Sequence, residues 1–393
     1  MRTILHCDCN GFYASVECTL KPELKNVPMA VCGNPENRHG IILAKNDLAK
    51  AYNIKTAETI WQAKSKCPEL VLVQPHHDLY QKYSDRINEI YKEYTDMVEP
   101  FGIDESWLDV TASKNLFGSG VEIADKLRER IKSELGLTIS VGVSFNKVFA
   151  KLGSDYKKPD ATTEFSLENW QEKIFPLSVG DLLFVGHKAE EKLNSLCIYT
   201  IGDLASSDQK ILINHFGKMG ETLWIYANGL DTSPVISPCE NDDVKSVGNG
   251  NTFKKDLTKW EEVSFGVKCL SESVATRLRK KQLKCSTISV AIKDPEFKTI
   301  SKQKKLLYPS YISREITTCA LELIKSYWPD GKPIRTITIT ATNLIKEDED
   351  ISQLTLFEDD KKINIKREKL EKLEETLDML KEKFGDTIGN LHS

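Results

Sequence analysis

Two acidic stretches of this chain could do chemistry together. Gly102-Ile103-Asp104-Glu105-Ser106-Trp107-Leu108-Asp109-Val110 sets two adjacent carboxylates in an apolar, strand-like run, and Ile4-Leu5-His6-Cys7-Asp8-Cys9-Asn10 sets a third in a similar run. Successive side chains on a strand point to opposite faces, so Asp104 and Glu105 converge only where the strand bends or ends, as at a hairpin. Three hard oxygen donors with little Cys or His around them suit Mg²⁺, which keeps some of its water and binds through a few carboxylates and substrate phosphates. Phosphoryl transfer is the chemistry such a centre supports. For the acidic dipeptide taken alone, a charged hairpin tip with Asp8 merely ending a strand is the competing reading.

The surroundings change that balance. Asp8 is followed by Asn10-Gly11-Phe12-Tyr13-Ala14-Ser15-Val16-Glu17, and a third segment, Ser154-Asp155-Tyr156-Lys157-Lys158-Pro159, brings lysines beside another acid. In order and spacing the three segments resemble the motifs of the Y-family DNA polymerases, the low-fidelity translesion enzymes. The resemblance runs from Met1 to about Leu344, closest to the bacterial DNA polymerase IV branch, with a clamp-binding-like tail beyond it. It implies an α+β multidomain, right-hand polymerase with palm, small fingers, helical thumb and a βαββαβ little finger. It also implies DNA repair by template-directed addition of dNTPs to a primer, without proofreading, on two Mg²⁺ ions. Asp8 and Asp104 would bridge both ions, Glu105 would complete the shell of the ion that activates the primer hydroxyl, and the Cys9 backbone carbonyl would bind the nucleotide's ion. Lys158 would neutralise the triphosphate. Tyr13 lies where the family keeps an aromatic residue under the sugar, leaving no space for a 2′-hydroxyl, and Phe12 beside it borders the nucleotide or fills the core.

Three residues depart from the pattern. Asn10 stands where the branch usually repeats an acid. In Ala44-Lys45-Asn46-Asp47-Leu48-Ala49-Lys50, Asp47 and Lys50 occupy the places of a tyrosine and an arginine that hold the triphosphate. Lysine offers a point charge rather than a planar fork, and an acid near phosphates repels them, so either Lys45 compensates or nucleotide binding is weak.

At 393 residues the chain should form two to four units of ~150 residues. It contains no run of 18 apolar residues and opens directly into a strand pattern, which predicts a cytoplasmic protein with no membrane partner. Ten cysteines without a Cys-x-x-Cys pair read as reduced thiols filling space. The net charge of −4 is unevenly spread: residues 244–346 hold 20 Lys+Arg against 9 Asp+Glu, leaving −15 on the remainder. Such segregation is an electrostatic footprint for the phosphates of primer–template DNA, with a solvated lysine face as the alternative on composition alone. Lys254, Lys255, Arg277, Lys302, Lys304 and Lys305 are the candidate contacts, on a sheet face tracking the duplex backbone.

The elements that must position these groups follow from periodicity. Residues 1–165, the expected palm, alternate strand runs with helical patterns, with fingers inserted at about 11–73. Residues 166–230 turn helical, and Leu183-Phe184-Val185-Gly186-His187-Lys188-Ala189 followed by Ile201-Gly202-Asp203-Leu204 resembles a helix-hairpin-helix whose backbone near Gly186, with Lys188, could hold a DNA phosphate. Phe216-Gly217-Lys218-Met219-Gly220 would repeat the device. Residues 231–244 have the composition of an exposed linker, and 245–346 read strand, helix, two strands, helix, strand. The tail, 347–393, carries Gln353-Leu354-Thr355-Leu356-Phe357, which resembles the peptide by which bacterial polymerases dock on the sliding clamp. Gln353, Leu354, Leu356 and Phe357 would be its anchors. A last helix over 366–385 carries Leu370, Leu373, Leu377, Leu380 and Phe384 as a docked or partner-seeking stripe. A monomeric translesion polymerase is the expectation; a catalytically silent DNA- and clamp-binding protein and a nucleotide cyclase are the rivals, and primer extension separates them.

Overall fold

The computed structural model describes residues 2–33, 40–237, 244–347 and 358–384. The chain divides into two compact units, one ending at residue 242 and the other beginning at residue 243.

The first unit is built on a five-stranded sheet. Its central strand β1 (Ile4–Cys9) is buried at every position, as expected of a strand covered on both faces. The small sheet of the same unit contains β2 (Met29–Cys32), β3 (Ile42–Lys45) and β4 (Val71–Val73) in the order β3-β2-β4. The main sheet adds β5 (Val98–Pro100), β6 (Glu105–Asp109), β7 (Ile139–Ser144) and β8 (Thr162–Phe165), in the order β5-β6-β1-β7-β8. β6 and β7 flank β1 antiparallel, while β8 joins β7 in parallel, a pairing sequence periodicity did not specify.

Odd-numbered β1 residues Leu5, Cys7 and Cys9 enter a core with Ile87, Ile90 and Tyr91 of the helix His77–Lys92 and Ile123, Leu127 and Ile131 of the helix Gly120–Leu135. The even-numbered residues, including His6 and Asp8, face the other way, toward the helix Lys147–Tyr156. That helix lies almost on the backbone of β7: a Cβ at Gly142 would stand 1.9 Å from the Ala150 carbonyl oxygen, and one at Gly153 2.9 Å from the Gly142 Cα. Two glycines thus bring the helix bearing Lys151 and leading to Lys158 against the sheet. Further along, short helices between Trp170 and Ala227 close a separate core around Phe149, Leu193, Leu204 and Leu223.

The segment expected as an exposed linker is corrected where it is described. Val235 is buried beside Ile4, Trp107 and Ala150, the Ile236 amide donates to Glu99 at 2.8 Å, and Arg2 donates to the carbonyls of Thr232 and Ser233. One apolar side chain and four hydrogen bonds to backbone groups tie residues 231–237 to Arg2, Glu99 and Lys147; 238–243 lie outside the described residues.

The second unit has the expected βαββαβ order. β9 (Ser246–Leu257), β10 (Leu283–Lys293), β11 (Thr299–Ser310) and β12 (Ile334–Lys346) form an antiparallel sheet ordered β11-β10-β12-β9. Two helices, Trp260–Lys280 and Ser313–Tyr327, bury Val267, Val274, Leu278, Ile316 and Ala320 against Ile288, Val290, Ile292, Ile337 and Ile339 on one face. The last helix, Glu358–Phe384, docks on the same unit mainly through its acids; of the leucine stripe, Leu370 and Leu380 are half-buried. Glu374 and Asp378 meet Arg279, Glu371 meets Lys284 at 3.3 Å, and Tyr311 donates to Glu375 at 2.7 Å, while Leu373, Leu377 and Phe384 remain exposed. The acids recur at the same three-four spacing as the leucines, and the basic rim of the unit selects the acidic face.

Candidate active site

Asp8 and Glu105 are opposed in the β1–β6 register, so their side chains leave the sheet on one face. Asp104 precedes the first residue of β6, in the bend that joins β5 to β6, and its carbonyl accepts from the Cys9 amide at 3.0 Å. The bend lets consecutive acids serve one neighbourhood. Asp8, Cys9, Tyr13, Asp104 and Lys158 line a cavity of about 830 Å³, a size suited to a nucleotide-scale ligand. Glu105, opposite Asp8 in the ladder, is not among the residues that line it; it is held by Lys151, and its Oε2 lies 3.2 Å from His6 Nε2.

The electrostatics are unbalanced. Burial pushes the Asp8 carboxyl up to about 6 although Lys158 opposes it, and nearby Glu105 and Asp155 add to the rise. Asp104 is also raised, by burial and by Glu105. Glu105 moves the other way, to about 2, because nearby His6 and the hydrogen-bonded Lys151 outweigh its burial. Lys158 Nζ stands 2.8 Å from Asp8 Oδ2 and 2.7 Å from Asp155 Oδ1. Among the described residues no three acidic, His or Cys side chains stand together in ligating geometry; Asp8 and Glu105 each hold a lysine through one carboxylate oxygen. The donor set nevertheless fits a hard divalent cation: oxygen ligands only, with two buried carboxylates whose charge is incompletely neutralised.

Lys45 and Lys50 line the same cavity, as does Asp47. Lys45 donates to Thr56 at 3.2 Å, and burial followed by repulsion from Lys50 lowers its pKa. Asp47 occupies the first turn of the helix Asp47–Ala51, capped by Asn46, where a negative charge is favoured. Phe12 borders the cavity but its ring is core, 3% exposed. Tyr13 sits in the first turn of the helix Phe12–Leu20 with its ring stacked on Tyr80.

Away from this cavity, Gly186 and Gly217 each cap a helix N-terminus without a side-chain partner, and a Cβ at either would meet nothing within 4 Å. Lys188 is exposed in the first turn after Gly186. In the second unit the expectation of a lysine-lined sheet face is corrected. The register opposes Lys302 to Val290 and Lys304 to Ile288, so both leave on the helix-covered side, where Lys304 pairs with Glu322 at 2.8 Å. Lys255 pairs with Glu262, and Arg277 lies on a helix, donating to the Gly248 carbonyl. Of the six candidates, Lys305 and Lys254 alone belong to the open face, among Thr252, Ser289, Thr338 and Thr340. The clamp-like residues Gln353, Leu354, Leu356 and Phe357 lie outside the described residues.

Sequence reading missed His6 and Lys151. His6 is two residues before Asp8 and so shares its face of the strand; Lys151 is one helical turn before Asp155, a spacing that announced a common face.

A sheet that gathers carboxylates at a hairpin beside a nucleotide-sized, lysine-edged cavity defines a palm-type nucleotidyltransferase. Comparison with known proteins agrees. Residues 7–155 match the impB/mucB/samB family and residues 244–356 the C-terminal domain of the same family. The chain is 51% identical to a DNA polymerase IV of Acetivibrio thermocellus over 98% of its length and 95% of that protein, and 38% identical to a DNA polymerase IV of Pelotomaculum thermopropionicum over 98% and 93%. A Y-family polymerase chimera, Dbh-Dpo4(243-245)-Dbh, shares the fold at a TM-score of 0.79 and 24% identity, covering 88% of this chain and 99% of that one. The chain belongs to the Y-family DNA polymerases, in their DNA polymerase IV branch. It is therefore a low-fidelity DNA-directed DNA polymerase of translesion synthesis, with primer–template DNA and dNTPs as substrates and a general dependence on divalent metal. No helix among the described residues is long and apolar enough to cross a membrane.

Proposed function

We propose that Asp8, Asp104 and Glu105, with the Cys9 carbonyl, hold two Mg²⁺ ions and that this centre extends a primer by one nucleotide at a time. The bound metal would activate the primer 3′-hydroxyl and neutralise charge on the triphosphate. The chain's own residues set the stage. Asp8 and Glu105 leave one face of the β1–β6 pair, and the bend carries Asp104 to the same cavity. Lys151 keeps Glu105 ionised and aimed, with His6 beside it. Lys158, between Asp8 and Asp155, would transfer its charge to an incoming triphosphate, with Lys45 and Lys50 lining the same cavity. Tyr13 lies under the sugar and excludes a 2′-hydroxyl.

The same reading assigns 1–165 to the palm with fingers at about 11–73, 166–230 to the thumb, 245–346 to the little finger and 347–393 to the tail, with 231–244 as a connection whose first part is tied to the palm. Gly186 and Lys188 would hold one DNA phosphate, and the open face of the second unit would follow the duplex. The polymerase would act as a cytoplasmic monomer without proofreading, tethered to the sliding clamp through Gln353, Leu354, Leu356 and Phe357. The observation that carries the proposal is the shared face of Asp8 and Glu105 beside Asp104 at a cavity edged by lysines. Primer extension by Asp8→Ala, Asp104→Ala and Glu105→Ala variants tests it; wild-type rates in these variants would overturn it.

A further inference from the structure

The helix that carries Tyr13 grips one other aromatic residue at two points. Tyr13 lies flat on Tyr80, with ring centroids 4.2 Å apart and planes inclined by 14°. Glu17, one turn further along the same helix, accepts from the Tyr80 hydroxyl at 2.5 Å. His77 closes the set edge-on, 5.8 Å from both rings. Tyr80 and Glu17 are both 0% exposed. Glu17 Oε1 also lies 2.8 Å from His76 Nδ1, while its Oε2 has no hydrogen-bond partner. A buried carboxylate with an unsatisfied oxygen is an expensive way to pack a helix, and an apolar residue would fill the space more stably. What the carboxylate adds is position: it pins the hydroxyl end of the Tyr80 ring and hence the surface on which Tyr13 rests.

We propose that Glu17 and Tyr80 are positioning residues for sugar discrimination, holding the Tyr13 ring rigid against a 2′-hydroxyl. This rests on the reading of Tyr13 as the sugar gate. A gate excludes by not yielding: a ribonucleotide needs the ring to move by a fraction of the size of an oxygen atom, and a ring stacked on an anchored partner resists that displacement. Neither Glu17 nor Tyr80 needs to touch the nucleotide.

The test measures kcat/KM for a dNTP and its matching rNTP with wild type, Tyr80→Leu, Tyr80→Phe, Glu17→Gln and Tyr13→Ala. Losing an aromatic stack should lower the dNTP/rNTP ratio of Tyr80→Leu roughly three- to tenfold, mainly through faster rNTP use. Tyr80→Phe and Glu17→Gln keep the ring but weaken its anchor, and their ratios should fall between wild type and Tyr80→Leu. If Tyr80→Leu does not fold, these two variants decide. Parallel losses for both nucleotides, with the ratio unchanged while Tyr13→Ala lowers it, would reduce Glu17 and Tyr80 to packing and overturn the inference. An unchanged ratio in Tyr13→Ala would instead remove the gate assignment itself.

Discussion

Asp8 and Glu105 face each other across the β1–β6 ladder, yet they are answered by different lysines, Asp8 by Lys158 and Glu105 by Lys151. Lys151 is fixed on a helix packed against the sheet, whereas Lys158 lies just beyond the end of that helix and edges the cavity. Lys151 keeps its acid ionised from a fixed position; on the proposed reading, Lys158 would exchange its carboxylate for a substrate phosphate, a nucleotide role distinct from the structural role of Lys151.

From that geometry, removing any of the three carboxylates should be close to fatal for synthesis. Asp8→Ala, Asp104→Ala and Glu105→Ala should each extend a primer at roughly a hundredth to a thousandth of the wild-type rate or less, and EDTA should do the same to wild type until Mg²⁺ is restored. DNA affinity, which the proposed reading gives to the basic second unit, should change little in a gel-shift titration. Loss of DNA binding in step with extension would place these acids in the fold rather than in the chemistry.

Neutralising Asp8 should also stabilise the metal-free protein. Burial lifts its carboxyl to about 6 against an ordinary 3.8, so the native state holds a proton more tightly than the unfolded chain and stability falls as pH rises between those values. Two units correspond to an upper figure of about 3 kcal/mol. Asp8→Asn should therefore melt a few degrees higher than wild type in EDTA at pH 7.5, and added Mg²⁺ should raise the wild-type melting temperature more than the mutant's. A lower melting temperature for Asp8→Asn would show that its bond to Lys158 outweighs the burial penalty.

The second unit offers a comparison between two faces. Lys254 and Lys305 belong to the open face of the sheet, whereas Lys255 and Lys304 pair with Glu262 and Glu322 on the helix side. If the open face follows the duplex, the double variant Lys254→Ala/Lys305→Ala should reduce the slope of log affinity against log salt by roughly 2, one released counterion per phosphate contact. Lys255→Ala/Lys304→Ala should leave it nearly unchanged. The opposite ranking would move the DNA to the helical side.

These two faces also show where sequence reading stops. The three carboxylates were legible because their motifs are local and because strand and hairpin geometry alone allows Asp104 and Glu105 to share a site. Which side of the sheet Lys302 and Lys304 take depends on the pairing of Ile288 and Val290 with β11, and a slip of one residue would invert it. No local signal sets that register. The close approach of Gly142 and Gly153 is likewise tertiary: either glycine could have been a flexible loop residue. In the last helix, leucines and acids recur with equal spacing, and only the Arg279, Lys284 and Tyr311 surface decides between them.

The final prediction concerns the tail. Gln353, Leu354, Leu356 and Phe357 stand between two segments of the second unit, Glu347, whose carboxylate accepts from Tyr311 at 3.0 Å, and the helix beginning at Glu358. The sequence around them is polar and acidic and cannot build a core of its own, so three apolar residues with an adjacent amide suit a partner's groove. A polymerase that releases DNA often gains from a second attachment, because tethering turns repeated encounters into an intramolecular event at an effective concentration on the order of millimolar. Leu356→Ala/Phe357→Ala should therefore abolish stimulation of synthesis by the sliding clamp on a long primed template and leave clamp-free extension at the wild-type rate. Equal stimulation of variant and wild type, or an equal loss of clamp-free synthesis, would show that these side chains pack against their own unit.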